Sequence, residues 1–335
     1  MKCWMAMRKG LRLNQFLEKR MIMVMGFAIV AGAVFHNQMV GLKPLVPYLF
    51  AYMTFVVAIN CGARDFQNAI KAPLPLLTIF GALHIVLPIL AAFLARTFLP
   101  DNPLLQAGVI LGTAAPIGVS SSIWINISGG DNALGLTAVV ADTILAPLII
   151  PAIMLLTVDR RVNFDVPQLV IGLAWMIMIP TIIGMIIHDR TGGKINRQLK
   201  FITGPTSKIF LALVVGANLA VAWNSLHLLT SSLAPAVLVT FTMGCGGFLL
   251  GYLVAKLTRK APRLVNTYIY SIGMRNITAG LVMALKYFPE LTALPVVFAI
   301  MFQQPMAALA HRFLVERPVE ARPDFVSQNK QKFRL

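Results

Sequence analysis

The sequence predicts an all-α membrane protein of ten transmembrane helices, arranged as two inverted five-helix repeats. Three observations carry that expectation. Of 335 residues, 58% are hydrophobic and 12% charged, about half the charged share of a soluble domain. The apolar residues fall in runs that meet the roughly 20 residues needed to cross a bilayer core. The basic residues gather on one side of those runs.

Taken in order, the runs predict helices over Arg20–His36, Leu42–Gly62, Pro73–Phe98, Pro103–Ile127, Asn132–Val158, Val166–His188, Pro205–Trp223, Ala234–Leu257, Leu264–Phe288 and Leu291–Phe313. Backbone polar groups facing lipid must be satisfied within their own segment, so each run is read as helix. The first span has a competing reading: a basic arm, an apolar run and Ala31-Gly32-Ala33 have the form of a secretory signal peptide. The resulting plan is a basic cytoplasmic arm over 1–19, a transmembrane domain over 20–313 and a polar, disordered cytoplasmic tail over 314–335. The repeats run from about 20 to 158 and from about 166 to 313.

The net charge of +17 would suggest nucleic acid in a soluble protein. Its placement gives another reason. With a cytoplasmic N-terminus, 23 of the 29 lysines and arginines fall inside, five outside, and one, Arg275, within a span. That asymmetry orients the chain with both ends in the cytoplasm, without a nucleic-acid partner. The compact loop plan fits a bacterial inner membrane. Cys3, Cys61 and Cys245 lie far apart, with no metal-ligand spacing.

Each half is interrupted in its fourth span. The fourth breaks at Pro116-Ile117-Gly118-Val119-Ser120-Ser121-Ser122, the ninth at Ser271-Ile272-Gly273-Met274-Arg275-Asn276. Matched interruptions in inverted halves point to a transporter binding site. The plainer reading is a pair of ordinary kinks, since glycine and proline are common in membrane helices.

Only Asp142 and Arg275 place a formal charge near the middle of a span. Such residues cost about 2.5–3.5 kcal/mol on insertion scales, which marks them for function or for a structural ion pair. A guanidinium beside the N–H groups of a half-helix suits a small anion, by charge and by its planar fork. Ser120, Ser121, Ser122 and Asn276 add neutral donors, and Asp142 is expected to balance Arg275 or to carry a proton. His84, inside the third span, is a packing residue or a proton carrier. Gln303 and Gln304 are expected to bond across helices. Asn126, Thr137, Thr143, Thr267 and Thr278 are weaker candidates of the same kind. An intramembrane hydrolase built from the serines, His84 and Asp142 is a remote alternative, because the serine run lacks the second glycine of a nucleophile elbow.

Ala115-Pro116-Ile117-Gly118-Val119-Ser120-Ser121-Ser122, continuing through Gly130-Asp131-Asn132-Ala133-Leu134 to Ala146-Pro147, resembles the fourth and fifth helices of the bile acid:sodium symporter family. Ile272-Gly273-Met274-Arg275-Asn276 resembles its ninth-helix motif, usually Glu-x-Gly-Met-Gln-Asn. The resemblance runs from about Arg20 to Phe313. It implies a core and a panel domain, with the fourth and ninth helices crossing in the core. It also implies transport of organic anions, bile acids in animals and small carboxylates in bacteria, usually driven by sodium, so that the expected cargo is a carboxylate or a bile-acid-like anion. The chain departs from the pattern where the ions bind. Ser271 stands for the sodium-binding glutamate, Arg275 for the glutamine and Ser121-Ser122 for Ser-Asn. Leu83, with His84 beside it, stands for a third-helix glutamine, and Asp142 for a small polar residue. The ion-coupling candidates are therefore His84, Ser121, Ser122, Asp142, Ser271, Met274 and Arg275, with any sodium site near Ser121, Ser122 and Asp142. No cofactor beyond sodium is implied. The expected partners are a small organic anion and the lipid bilayer. Coupling to protons, or a passive facilitator of the same fold, is the alternative that Arg275 raises.

Overall fold

The computed structural model describes residues 2–60, 62, 73–226 and 232–316. The connection holding Arg64 and Lys71, and the tail beyond Glu316, lie outside the described residues. All the described elements are helical. In chain order they are α1 (Lys2–Lys19), α2 (Met21–Val34), α3 (His36–Ala58), α4 (Pro73–Phe98), α5 (Pro103–Ala114), α6 (Ser120–Ile127) and α7 (Asn132–Thr157). There follow α8 (Val166–Thr191), α9 (Lys194–Leu226), α10 (Leu233–Leu257), α11 (Pro262–Gly273), α12 (Ile277–Tyr287) and α13 (Ala293–Phe313).

Seven helical stretches are long and apolar enough to cross a membrane: α3, α4, α7, α8, α10, Gln198–Val221 within α9, and Glu290–Phe313, which ends in α13. The other three expected spans are shorter or divided. The first forms α2, whose 14 residues reach about 21 Å. The fourth is split into α5 and α6, the ninth into α11 and α12. Large apolar side chains face outward along the helices, among them Phe27, Leu156, Ile171 and Phe313. This is the surface of a protein solvated by lipid.

The starts and stops are written locally. Pro103 and Pro262 occupy the first turns of α5 and α11, where a missing N–H leaves no gap. Asp131 caps α7 by accepting from the Ala133 and Leu134 amides, and Asp165 caps α8 through Gln168. α4 and α8 each contain one π-helical turn, Ala82–Val86 and Ala174–Met178, just before Pro88 and Pro180. A proline cannot donate to the preceding turn, and the widened turn absorbs the mismatch.

The basic arm expected over 1–19 is a helix. It lies along α9, where Asn14 accepts a 2.6 Å hydrogen bond from Lys208. Gly32, within the stretch with a signal-peptide form, is where α2 crosses α9, backbone to backbone at Gly216. The start of the expected disordered tail is held in place: the Glu316 amide donates to Asn266 at 2.9 Å and its carboxylate pairs with Lys256. Residues 314–316 therefore belong to the ordered domain, because Asn266 supplies both a donor and an acceptor to their backbone.

Candidate functional site

The chain leaves helix at Ala115 because Pro116 disfavours the helical conformation in the residue before it. It resumes at Ser120. The second break covers Met274–Asn276, with Met274 extended and Asn276 capping α12 through the Ala279 amide at 3.2 Å. Each break frees backbone groups that lipid cannot satisfy. They satisfy each other. The Gly118 amide donates to the Met274 carbonyl at 3.1 Å and the Asn276 amide to the Pro116 carbonyl at 2.6 Å, so Ile117 and Arg275 face one another in an antiparallel bridge. Gly118 permits this approach. A β-carbon there would lie 2.6 Å from the Arg275 carbonyl oxygen.

Asp142 of α7 is fully buried and holds the crossing from the side. One carboxylate oxygen accepts from the Ile117 amide at 2.6 Å, a group the first break leaves open. The other lies 2.6 Å from His84 Nε2. His84 projects from the π-helical turn of α4, and its Nδ1 is buried without a partner among the described residues. The sequence leaves open whether Asp142 balances Arg275 or carries a proton. The structure puts the carboxylate in direct contact with His84, because the π turn and the α7 register bring those side chains together.

The Arg275 side chain folds back over the end of α11. Its Nη1 donates to the Ser271 and Met274 carbonyls at 3.4 Å each and its Nη2 to Ile272, while the Gln303 amide oxygen accepts from the Arg275 backbone N–H at 2.9 Å. A helix C-terminus carries orphan carbonyls and about half a negative charge. The guanidinium answers both. The sequence expectation had placed it at the N–H end of the following half-helix. That end is capped by Asn276.

Of the serines, Ser120 begins α6 and is half-buried. The hydroxyls of Ser121, Ser122 and Ser271 are buried with no partner among the described residues. For a cation the crossing thus offers these three hydroxyls. The Asp142 oxygens face nitrogen groups, and the α11 carbonyls face the guanidinium. The remaining candidates have structural partners. Gln304 accepts from Trp124 at 3.1 Å, Asn126 from Asn132 at 2.8 Å, and Thr267 from the Asp131 amide at 2.7 Å. Thr143 donates to Val139 in its own helix, Thr137 lies on the buried face of α7, and Thr278 sits in the first turn of α12. Sequence reasoning missed the Ile117 amide, since a main-chain donor has no signature beyond the proline before it.

A cavity of about 50 Å³ lies on the Arg275 side of the crossing, between α5, α10 and α13. Its lining includes Thr113, Thr240, Arg275 and Gln303.

The family model described as Sodium Bile acid symporter family matches residues 46–229. The chain is 30% identical to "Uncharacterized protein YbaS" of Bacillus subtilis over 285 residues, 84% of this chain and 92% of that protein. It is 25% identical to "Uncharacterized sodium-dependent transporter YocS" of the same organism, over 82% of this chain and 84% of the relative. It is 26% identical to "Probable sodium/metabolite cotransporter BASS1, chloroplastic" of Arabidopsis thaliana, over 69% of this chain and 57% of that protein.

Proposed function

The chain belongs to the sodium bile acid symporter family, a family of secondary transporters and not of enzymes, and from that premise we propose that it carries a small organic anion by alternating access. On this reading ten spans form two inverted five-helix halves, α2–α7 and α8–α13, in an inner bacterial membrane with both ends in the cytoplasm. The observation that carries the reading is the interlocked pair of half-helices at 116–118 and 274–276.

We also propose that Arg275 stands in for a bound sodium ion. The support is its position on the Ser271, Ile272 and Met274 carbonyls, oxygen ligands of the kind a cation would use. A second cation about 4 Å away would be repelled by roughly 4 kcal/mol at an effective dielectric near 20. That is close to a thousandfold in affinity. The test is uptake of labelled short carboxylates into proteoliposomes, in sodium against choline. Saturable uptake of equal rate in both salts is expected. Uptake that collapses in choline would restore sodium coupling, and absence of any carboxylate uptake would remove the assigned substrate class.

A second reading of the driving force, proton coupling, is favoured by the buried His84–Asp142 contact. Arg275 is the other charged group whose field reaches Asp142. The ionisable groups on neighbouring helices turn elsewhere: Tyr268 to Pro75, Tyr270 to Ala307, Arg96 to Thr157 and His188 to Ile59. Uptake driven by an inward proton gradient, and abolished by a protonophore, separates this reading from a passive facilitator.

A further inference from the structure

We propose that the cavity beside Arg275 is a binding site for a small monovalent anion, the size of chloride or of a two- to four-carbon carboxylate, held as the counterion of the guanidinium. The inference deepens the anion-transport reading by giving the anion a place and a size.

Charge makes the first argument. Arg275 is 6% exposed, and none of the ion pairs among the described residues involves it. A guanidinium has five N–H groups. Three reach the α11 carbonyls, which leaves the Nε and one Nη2 hydrogen without an acceptor among the described residues. The Asp142 field reaches this cation, but its carboxylate is bonded to His84 and the Ile117 amide, and helix-end carbonyls supply only a partial charge, so the buried guanidinium has no anion in contact with it among the described residues.

The polarity of the lining makes the second. Thr240 is 7% exposed, and its hydroxyl is buried without a partner among the described residues. The Gln303 amide oxygen is committed to the Arg275 backbone N–H, so Gln303 presents its NH2 group to the cavity. Thr113 spends its hydroxyl proton on Ile110. No carboxylate of the described residues lines the space. Three side chains thus bring hydrogen-bond donors to one volume, the inverse of a cation site.

Size makes the third. One water needs about 10–15 Å³ of cavity space, so a cavity of about 50 Å³ has room for a few atoms. Gly112 helps to create the room, since the position its β-carbon would take is open.

The test uses the full-length protein in detergent, with unfolding temperature measured at constant ionic strength. Sodium gluconate, whose anion is too large for the cavity, is replaced stepwise by chloride, acetate, propionate or butyrate. A saturable rise with small anions is expected, since a ligand bound only by the folded state stabilises it. A response to chloride alone assigns a resident inorganic counterion, and a response to the carboxylates assigns cargo. Identical curves in all salts would overturn the site. A β-carbon at Gly112 meets nothing within 4 Å. Gly112→Val should therefore fold, fill the cavity and weaken the response at least tenfold, and Arg275→Gln should do the same. A full response in Gly112→Val would place the anion elsewhere. Binding without carboxylate uptake would defeat the transport reading alone, and uptake without binding would defeat only this inference.

Discussion

Replacing Asp142 by alanine and by asparagine should give very different proteins. The carboxylate, which has no solvent exposure, faces two nitrogen groups, the Ile117 amide and His84 Nε2, both at 2.6 Å. Alanine leaves both without their partner. A buried polar group stranded in this way costs about 1–3 kcal/mol, so Asp142→Ala should lose about 2–6 kcal/mol. Asparagine has the same shape. Its oxygen can accept from Ile117 while its NH2 donates to Nε2 of a neutral His84 protonated on Nδ1. Asp142→Asn should therefore stay within about 1 kcal/mol of the parent, the scale of one ordinary hydrogen bond. The assay is equilibrium unfolding in mixed micelles titrated with a denaturing detergent. Because about 1.4 kcal/mol is a factor of ten in the equilibrium, the alanine variant should unfold at least about fivefold more readily than the asparagine variant. Equal stabilities would refute the claim that Asp142 ties the first break to α4.

Three further outcomes follow from the same geometry. Gly118→Ala places a β-carbon 2.6 Å from the Arg275 carbonyl oxygen; it should break the two hydrogen bonds of the crossing and cost about 1–3 kcal/mol, whereas Gly112→Ala, with open space, should be neutral or slightly stabilising. Asn276→Ala removes the cap of α12 and should cost about 1 kcal/mol, seen as faster hydrogen exchange at residues 277–280. In the connection before α8, the Arg161 side chain and then its backbone N–H hold the Asp159 carboxyl down at about 2. Its contribution to stability is therefore complete above the ordinary carboxylate range and is lost as pH falls through about 2. Carbon-detected NMR titration should show this, with Arg161→Ala raising the Asp159 value only part of the way to the ordinary carboxylate range, because the backbone N–H of residue 161 remains.

What the sequence made legible was set by local chemistry. Pro116 and the Gly273–Asn276 run interrupt their helices by backbone rules alone, and Asp142 and Arg275 stand out because charge is rare in apolar runs. The expected ends of α4 and α10 fall within a residue of those observed. Partners were another matter. That Asp142 meets His84 depends on a π turn in a different helix, and that Arg275 curls back onto α11 depends on which end of a half-helix lies within reach. The helical docking of residues 2–19 was hidden for a related reason. A basic amphipathic stretch reads as an arm until a neighbour such as Lys208 is known to meet Asn14.

Ile117 and Arg275, which face each other in the crossing, are 158 residues apart in the chain. At synthesis rates of about 5–20 residues per second, roughly 8–30 s separate their emergence from the ribosome. Through that interval the first break has no sibling to receive its amide and carbonyl groups, so it must wait at the wet edge of the bilayer or in the shelter of the insertion machinery. Assembly of this protein is thus ordered in time: the first half is provisional until the second arrives, and a chain truncated before Met274 should be recognised by the cell as unfinished.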